Sequence, residues 1–291
     1  MGAGHSGSTI LGVALGNCEH VVYAGEVEEW LANSGEPYLG GAERTRFWRS
    51  VRERVEVEEE LFKARPHRYL ERSSVLFRVD RWPLRHRLRG RYRRVSEELY
   101  RAIADVAGAT HVVDTSHFPL RARELRSLPG IDMYLLFLFR KPQHVIASEL
   151  RPVRRHDLAE RMRRAFGANA ALWLTHLLSV VVFLTHRRDR RLALRHEDFL
   201  AQPQTVLSEI LKCIDSPAAV PDVASLRTGV PLIGNKLIRS ELVALRTGTE
   251  VPAKGSRLTA LLHLPWTIVL SSLRPAARPA VAHSERSPGS R

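Results

Sequence analysis

The first nine residues, Met-Gly-Ala-Gly-His-Ser-Gly-Ser-Thr, place three glycines and three hydroxyl side chains directly ahead of an apolar segment at 10–15. A glycine-rich turn that opens a helix presents unpaired N–H groups and the positive end of a dipole, which together favour an anion. The spacing from Gly2 to Thr9 nearly matches the Walker pattern G-x-x-x-x-G-K-[ST], but Ser8 replaces the lysine. We therefore predict a phosphate-binding loop that is poorly suited to ATP. A flexible terminus of small residues is the alternative.

The rest of the chain alternates short apolar segments with longer helical ones. Strands are predicted over 20–24, 110–113, 133–139 and 191–194, and helices over the charged segment 44–64 and over 95–106, 120–128, 143–150, 158–187 and 205–214. Continuous apolar strands between helices indicate an α/β fold of three layers around a central parallel sheet. In such sheets, ligands bind at the carboxyl ends of the strands. The polar residues predicted at those ends are Glu26, Asp114, Thr115, Ser116, His117, Arg140 and Arg195.

Charge indicates an anionic partner without identifying it. The chain has 45 Lys and Arg against 31 Asp and Glu, a formal net charge of +14. The densest basic stretch, 78–94, contains eight Arg with Trp82 and Tyr92 between them. Such a stretch can bind single-stranded nucleic acid, line a cleft for an acidic substrate, or form a solvated face.

Residues 1–273 are expected to form one domain, and the tail at 274–291, rich in Pro, Ser, Ala and Arg, is expected to be disordered. Cys18 and Cys213 have no metal-like spacing, and they fit a reducing compartment while leaving one disulfide open. The apolar stretch 171–185 is short for a membrane span, so a buried helix is predicted there. With no recognisable signal peptide, we expect a cytoplasmic protein of a bacterium.

Several segments, in order, resemble the sulfotransferases that use 3′-phosphoadenosine 5′-phosphosulfate (PAPS), especially their carbohydrate-type and bacterial members. Residues 4–11, Gly-His-Ser-Gly-Ser-Thr-Ile-Leu, followed by Gly25 and Glu26, are similar to that family's 5′-phosphosulfate loop and acidic strand end. Residues 139–142, Phe-Arg-Lys-Pro, with Ser148 eight positions after Arg140, are similar to its 3′-phosphate site.

Three further segments extend the resemblance to about residue 240. Residues 114–122, Asp-Thr-Ser-His-Phe-Pro-Leu-Arg-Ala, resemble the family's Asp-Ser-Ser-Lys-x-Pro-x-Arg-Ala segment. Residues 194–199, Leu-Arg-His-Glu-Asp-Phe, resemble its Arg-Tyr-Glu-Asp-Leu strand end, and residues 234–236, Gly-Asn-Lys, resemble a late Gly-Asn motif. Each match is weak alone, and their shared order makes the resemblance specific.

The resemblance implies a P-loop-like fold and metal-independent, in-line transfer of a sulfuryl group to a hydroxyl or amine, with PAPS as co-substrate. The donor-binding residues it implies are Gly4, His5, Ser6, Gly7, Ser8, Thr9, Arg140, Ser148, Asn235 and Lys236. A surface salt bridge is the alternative role for Arg140.

Glu26 is the predicted general base, because a carboxylate beside an anionic donor has a raised pKa that suits proton abstraction near neutral pH. Glu28 and Glu29 are the fallback candidates, and Glu26 could instead only complement a helix dipole. His5 and His117 are predicted to stabilise the charge that develops on sulfate. They stand where the family more often has Lys or Arg, and whether Glu26 or a histidine is the base stays open.

Two departures accompany the resemblance. Lys141 stands where an Asp usually follows the Arg, and only Met1 to Ala3 precede the glycine loop, where the resemblance implies a central strand. We therefore expect the first strand to be truncated, either because the true start is encoded upstream or because this product itself is truncated.

The expected acceptor is a small molecule or glycan, with an anionic one weakly favoured by the basic stretch at 78–94. Two rival functions stay open. A P-loop kinase-like enzyme would need the missing lysine and an acid that holds Mg²⁺. A catalytically degenerate protein that binds nucleic acid or another polyanion would use the charge alone; we do not expect nucleic acid as a partner. Acceptor identity and oligomeric state do not follow from the sequence.

Overall fold

A computed structural model describes residues 1–64, 67–73, 76, 78–151, 158–248 and 257–273. Its strands are β1 Val21–Gly25, β2 His111–Asp114, β3 Leu135–Phe139, β4 Arg191–Arg195, β5 Leu226–Arg227 and β6 Leu242–Val243. Its helices are α1 Ser8–Leu15, α2 Ala42–Glu53, α3 Glu59–Ala64, α4 His67–Leu70, α5 Trp82–Ala107, α6 Pro119–Leu125, α7 Pro142–Glu149, α8 Leu158–Leu184, α9 His196–Ala201, α10 Pro203–Cys213, α11 Arg257–Leu262 and α12 Leu264–Ser272. The tail predicted to be disordered, 274–291, lies outside the described residues.

The four predicted strands are confirmed, each within two residues of its expected ends. They are parallel, as continuous apolar strands require, but they form two pairs instead of one continuous sheet. Strand β1 pairs with β2 from Val21 opposite His111 onward, and β3 pairs with β4 from Leu135 opposite Arg191 onward. The parallel direction of the predicted strands is thus confirmed within the described residues. A single central sheet with three layers is not confirmed.

Met1 and Gly2 lie beside the free edge of β3. Gly2 forms one parallel bridge with Leu138, the Met1 ammonium donates to the Leu136 carbonyl at 2.9 Å, and the Leu138 N–H donates to the Met1 carbonyl at 3.1 Å. Burial lowers the pKa of the Met1 ammonium to about 6. A cavity of about 570 Å³ is lined by residues of both β2 and β3, including Val113 and Leu136.

The helix boundaries differ from the predicted ones in the charged segments, where the spacing of apolar residues is a weaker signal. Residues 44–64, predicted as one charged helix, form α2 and α3 with an irregular segment between them. Most of the basic stretch at 78–94 lies on α5, which continues through the predicted helix at 95–106. Leu88, Tyr92 and Val95 are buried on one side of α5, while the neighbouring arginines Arg87, Arg91 and Arg94 are exposed or half-buried. Arg85, by contrast, is buried, and Arg89 and Arg93 pair with the buried carboxylate of Glu124, so only part of the basic stretch forms the outer face of this amphipathic helix.

Two apolar clusters support the strand ends. Helices α1 and α10 pack with β1 and β4 around Leu15, Leu207 and Ile210. Helices α2 and α5 pack with Trp30 and Trp48, both of which are fully buried. Trp30 is therefore a core residue, whereas Trp82 and Trp173 are more than one-third exposed.

Helix α8 corrects the prediction of a buried helix at 171–185. Leu172, His176 and Phe183 are buried, but Leu177 and Val181 on another side of the helix are about half exposed. Helix α8 carries an apolar surface beyond what the core needs. By length and composition alone, α8 from Ala159 to Leu184 could cross a bilayer; 33% of its apolar window is buried in the fold.

Candidate active site

The carboxyl ends of the four parallel strands carry the polar residues singled out from the sequence. Glu26 directly follows β1, His117 lies three residues beyond β2, Arg140 follows β3, and Arg195 is the last residue of β4. Because parallel strands end at the same edge, their connecting loops lie near one another. Backbone bonds tie two of these loops: the Thr115 N–H donates to the Gly25 carbonyl at 2.9 Å.

The glycine loop leads into α1 as predicted. His5 has φ of 61° and Gly7 has φ of 92°, so the loop turns sharply through the left-handed region before α1 begins at Ser8. The first N–H groups of α1 have no carbonyl partner within the helix. A Cβ at Gly4 would meet no protein atom within 4 Å, so the space over Gly4 is open. The loop therefore has room and unpaired donors for an anionic group.

His196 closes the other side of this loop. A Cβ on Gly7 would lie 2.3 Å from Nδ1 of His196, so only glycine fits against the imidazole. His196 is buried, its Nδ1 has no hydrogen-bond partner among the described residues, and burial lowers its pKa to about 4. A neutral imidazole with an orphaned nitrogen therefore lies against the turn that precedes α1.

Arg140 links the end of β3 to the glycine loop. Its NH1 donates to the main-chain carbonyl of His5 at 2.8 Å. Burial lowers the pKa of the half-buried Arg140 guanidinium, which nevertheless stays charged because arginine has a very high intrinsic pKa. The His5 side chain points to α7, where its Nε2 lies 3.1 Å from Glu149 Oε2. The charged guanidinium of Arg140 thus lies beside the glycine loop that is predicted to bind an anion.

Glu26 and His117 face each other at the ends of β1 and β2. His117 Nε2 lies 3.7 Å from Glu26 Oε1, and both side chains are about three-quarters buried. Burial, and then the nearby carboxylates of Asp114 and Glu29, raise the pKa of Glu26 to about 7. Burial, and then the Met1 ammonium, lower the pKa of His117 to about 4. Because His117 is neutral near pH 7, the contact is not a salt bridge, although its length alone would allow one.

A buried polar network fixes the loop that carries His117. Asp114 Oδ1 accepts hydrogen bonds from the N–H groups of Ser116 at 2.7 Å and Val27 at 3.4 Å. Arg121 Nε and NH2 each donate to Asp114 Oδ2 at 3.2 Å, and Arg121 NH1 donates to Glu71 at 2.7 Å. Burial alone would raise the pKa of Asp114, but Arg121 and these hydrogen bonds hold it below its usual value. Asp114 therefore stays charged and positions both strand ends.

The two fallback candidates for the general base, Glu28 and Glu29, make other contacts. Glu28 is buried, accepts a hydrogen bond from the Ser116 hydroxyl, and has a pKa well above its usual range because of burial and then the Asp114 charge. Glu29 accepts a hydrogen bond from Tyr38 at 2.9 Å. Glu26 combines partial exposure with a pKa near 7.

The other residues predicted to bind the PAPS donor lie around the same edge and differ in their exposure to solvent. Ser6 and Thr9 are buried, whereas Ser8 and Ser148 are half-buried. Asn235 and Lys236 are exposed, but their segment is anchored at β1 because the Glu26 N–H donates to the Ile233 carbonyl at 3.1 Å. Their segment of backbone therefore lies near Glu26 in space.

His196 is the residue that sequence reasoning missed. It lay within the quoted segment 194–199, directly after a predicted strand, and its place after Arg195 was the available signal. Glu197 beside it accepts a hydrogen bond from the Lys141 N–H at 2.9 Å, joining the ends of β3 and β4. Among the residues with described positions, no group of three or more His, Cys, Asp or Glu is arranged to hold a metal ion.

Comparison with solved structures identifies this fold. The sulfotransferase domain from the Synechococcus PCC 7002 olefin synthase superposes with a TM-score of 0.53 at 17% identity, over 91% of this chain and 92% of that one. The sulfotransferase domain from the curacin biosynthetic pathway gives 0.50 at 16% identity, over 91% and 95%. No protein-family model and no curated protein matches the chain. The chain therefore has the fold of these two domains.

Proposed function

We propose that this chain, which has the fold of sulfotransferase domains, is a PAPS-dependent sulfotransferase that transfers a sulfuryl group to a hydroxyl or amine acceptor. The observation that carries the proposal is the Arg140–His5 hydrogen bond of 2.8 Å, which places a guanidinium beside a glycine-rich helix start. An arginine at a strand end, next to a loop that lacks the Walker lysine, suits a nucleotide with phosphate groups at the 3′ and 5′ positions of its ribose better than it suits a triphosphate.

The residues present fit such a donor. The open space over Gly4 and the first N–H groups of α1 suit the 5′ phosphosulfate, and Arg140 with Ser148 suits the 3′ phosphate. The orphaned Nδ1 atoms of His117 and His196 lie at the same edge, where a ligand would complete their hydrogen bonding. Asn235 and Lys236 would cover the nucleotide from the β1 side.

In this mechanism, Glu26 takes the proton from the acceptor hydroxyl or amine. A pKa of about 7 suits this task, because a useful fraction is deprotonated at neutral pH while the carboxylate stays basic. Neutral His117 orients Glu26 and can donate one hydrogen bond toward the transferring group. His5 lies on the loop, and its Nε2 would have to leave Glu149 to donate to the transferring group. We assign no metal to the reaction, because the leaving phosphate of the donor needs no further activation.

We propose that the protein acts in the cytoplasm of a bacterium, with a small molecule or glycan as the acceptor. The acceptor must reach Glu26 from the solvent side, since its carboxyl is one-fifth exposed. The arginines of α5 favour an anionic acceptor only weakly, because Arg87, Arg91 and Arg94 lie on the outer face of an amphipathic helix, whereas Arg89 and Arg93 pair with Glu124.

A transfer assay tests the proposal. The full chain is incubated with PAPS labelled in its sulfate and a panel of hydroxyl and amine acceptors, and label on the acceptor is measured. We expect transfer that Glu26→Gln lowers about 100-fold or more. Donor-independent binding to heparin or DNA that survives Arg140→Ala, with no transfer to any acceptor, would instead support a polyanion-binding protein.

A further inference from the structure

The strongest unused feature is an apolar surface built by α8 and the α11–α12 pair. Phe166, Trp173, Leu177, Val181 and Leu184 are 39% to 78% exposed and recur every three to seven residues along α8. This spacing places them in one stripe along the helix. The opposite side of α8 is buried against β3 and α6, so the stripe is the helix's outward face.

Helices α11 and α12 extend this stripe into a wider face. Trp173 stacks edge-on against Trp266 with centroids 4.8 Å apart, and its Nε1 donates to the Leu262 carbonyl at 3.0 Å. Leu261, Leu264 and Ile268 beside this seam are 51% to 67% exposed. We call the α8 stripe and these three side chains the apolar face. Soluble monomers rarely expose continuous apolar surface on this scale without a binding role.

Charge surrounds the apolar face but does not enter it. Residues 165–186 and 258–273 contain no Asp, Glu, Lys or Arg. At one end of α8, residues 160–164 carry three Arg against one Glu, and beyond its other end, residues 187–190 carry three Arg against Asp189 and the nearby Asp132, which pairs with Arg190. The apolar face is therefore bounded at both ends of α8 by net positive charge.

From this arrangement we propose that the apolar face docks on an anionic phospholipid surface, lying in the bilayer interface. Apolar side chains of one helix face would enter the acyl boundary while arginines at both ends meet lipid phosphates, as in interfacial helices. The helix lies on the membrane instead of crossing it, because Leu172, His176 and Phe183 remain buried in the protein.

The same charges oppose a second copy of the chain as the occupant. Because both ends of α8 are positive, face-to-face pairing brings arginines against arginines in either the parallel or the antiparallel orientation. The net charge of +14 adds to this repulsion. An anionic bilayer meets both ends with the complementary sign.

Vesicle co-sedimentation of the full chain tests this inference without donor or acceptor, so its failure would leave the proposed function untouched. We expect binding to vesicles of phosphatidylcholine with phosphatidylglycerol that is about tenfold stronger than binding to phosphatidylcholine alone, and that weakens with salt. The variant Leu177→Glu/Val181→Glu should lose binding about tenfold or more. Val79→Glu changes an apolar residue outside the face that is more than half exposed, and it should bind like wild type.

Circular dichroism and thermal unfolding check that the variants fold; the changed residues are about half exposed, so the fold should tolerate them. Absence of binding to the anionic vesicles, or equal loss in the Val79→Glu control, overturns the inference. So does a stable dimer in light scattering that the double variant dissociates while vesicles bind neither protein, because the occupant is then a second copy.

Discussion

His117 Nε2 lies 3.7 Å from Glu26 Oε1, and burial moves the pKa values of the two groups in opposite directions. The pKa of the carboxyl rises to about 7, while that of the imidazole falls to about 4. Near neutral pH the pair is therefore a neutral imidazole beside a half-protonated carboxyl. This combination leaves Glu26 as the group that can exchange a proton in the physiological range.

Glu26→Gln should remove the base while keeping the shape of the site. We expect kcat to fall about 100-fold or more with the affinity for donor nearly unchanged. In wild type, kcat should rise with pH through about 7, because the base works only when deprotonated, and this limb should disappear in the variant. Steady-state kinetics over pH checks both. Glu29→Gln is the control, and a larger effect there would transfer the role to Glu29.

The same carboxyl should make stability depend on pH. The pKa of Glu26 is about 7 in the folded state against 4.5 for an unperturbed carboxyl, so the folded protein binds more protons in this window. The stability contributed by this group is lost as pH rises from about 4.5 to 7, by up to ~3 kcal/mol. Urea unfolding should show Glu26→Gln gaining stability relative to wild type across that window. A constant difference between the two proteins would contradict the raised pKa.

Arg140→Ala should weaken binding of adenosine 3′,5′-bisphosphate by about 10- to 100-fold, since a charge-assisted contact to phosphate is lost. Arg188→Ala is the matched control: it removes the same charge from an exposed residue just before the amino end of β4, at the far edge of the strands. Titration calorimetry measures both affinities. Equal losses would mean that Arg140 acts only through net charge.

Two alanine substitutions in the glycine loop should separate folding from binding. Gly7→Ala should lower the free energy of unfolding by about 1–3 kcal/mol, because φ is 92° and the new Cβ would lie 2.3 Å from His196 Nδ1. Gly4→Ala should leave stability nearly unchanged but weaken donor binding, because its Cβ would enter the open space. Denaturant unfolding and calorimetry report the two effects. A stable Gly7→Ala protein would contradict the loop geometry.

The sequence predicts the strands well because each is a short apolar run ending in a polar residue, as in Leu135–Phe139 before Arg140. It does not predict how they assemble, since the gap between β2 and β3 depends on what lies between them in space. Arg121 appeared in a motif, but its position between Asp114 and Glu71 depends on contacts across 50 residues of chain. The His196 contact with Gly7 likewise joins residues far apart in sequence.

The outward face of α8 shows a second limit of prediction from the sequence. An apolar run such as 171–185 has the same composition whether it faces the core or solvent, so hydropathy alone indicates burial. Only the exposure of Leu177 and Val181 reveals that the described residues leave part of this side uncovered.

Titration calorimetry of the full chain with adenosine 3′,5′-bisphosphate in the absence of Mg²⁺ tests the central claim most directly. The proposed site has a guanidinium at 2.8 Å from the glycine loop and no Walker lysine, so we predict saturable one-to-one binding that does not need the metal and that Arg140→Ala weakens. Preference for MgATP over the bisphosphate, or binding that Arg140→Ala leaves unchanged, would contradict the assignment of this site to PAPS.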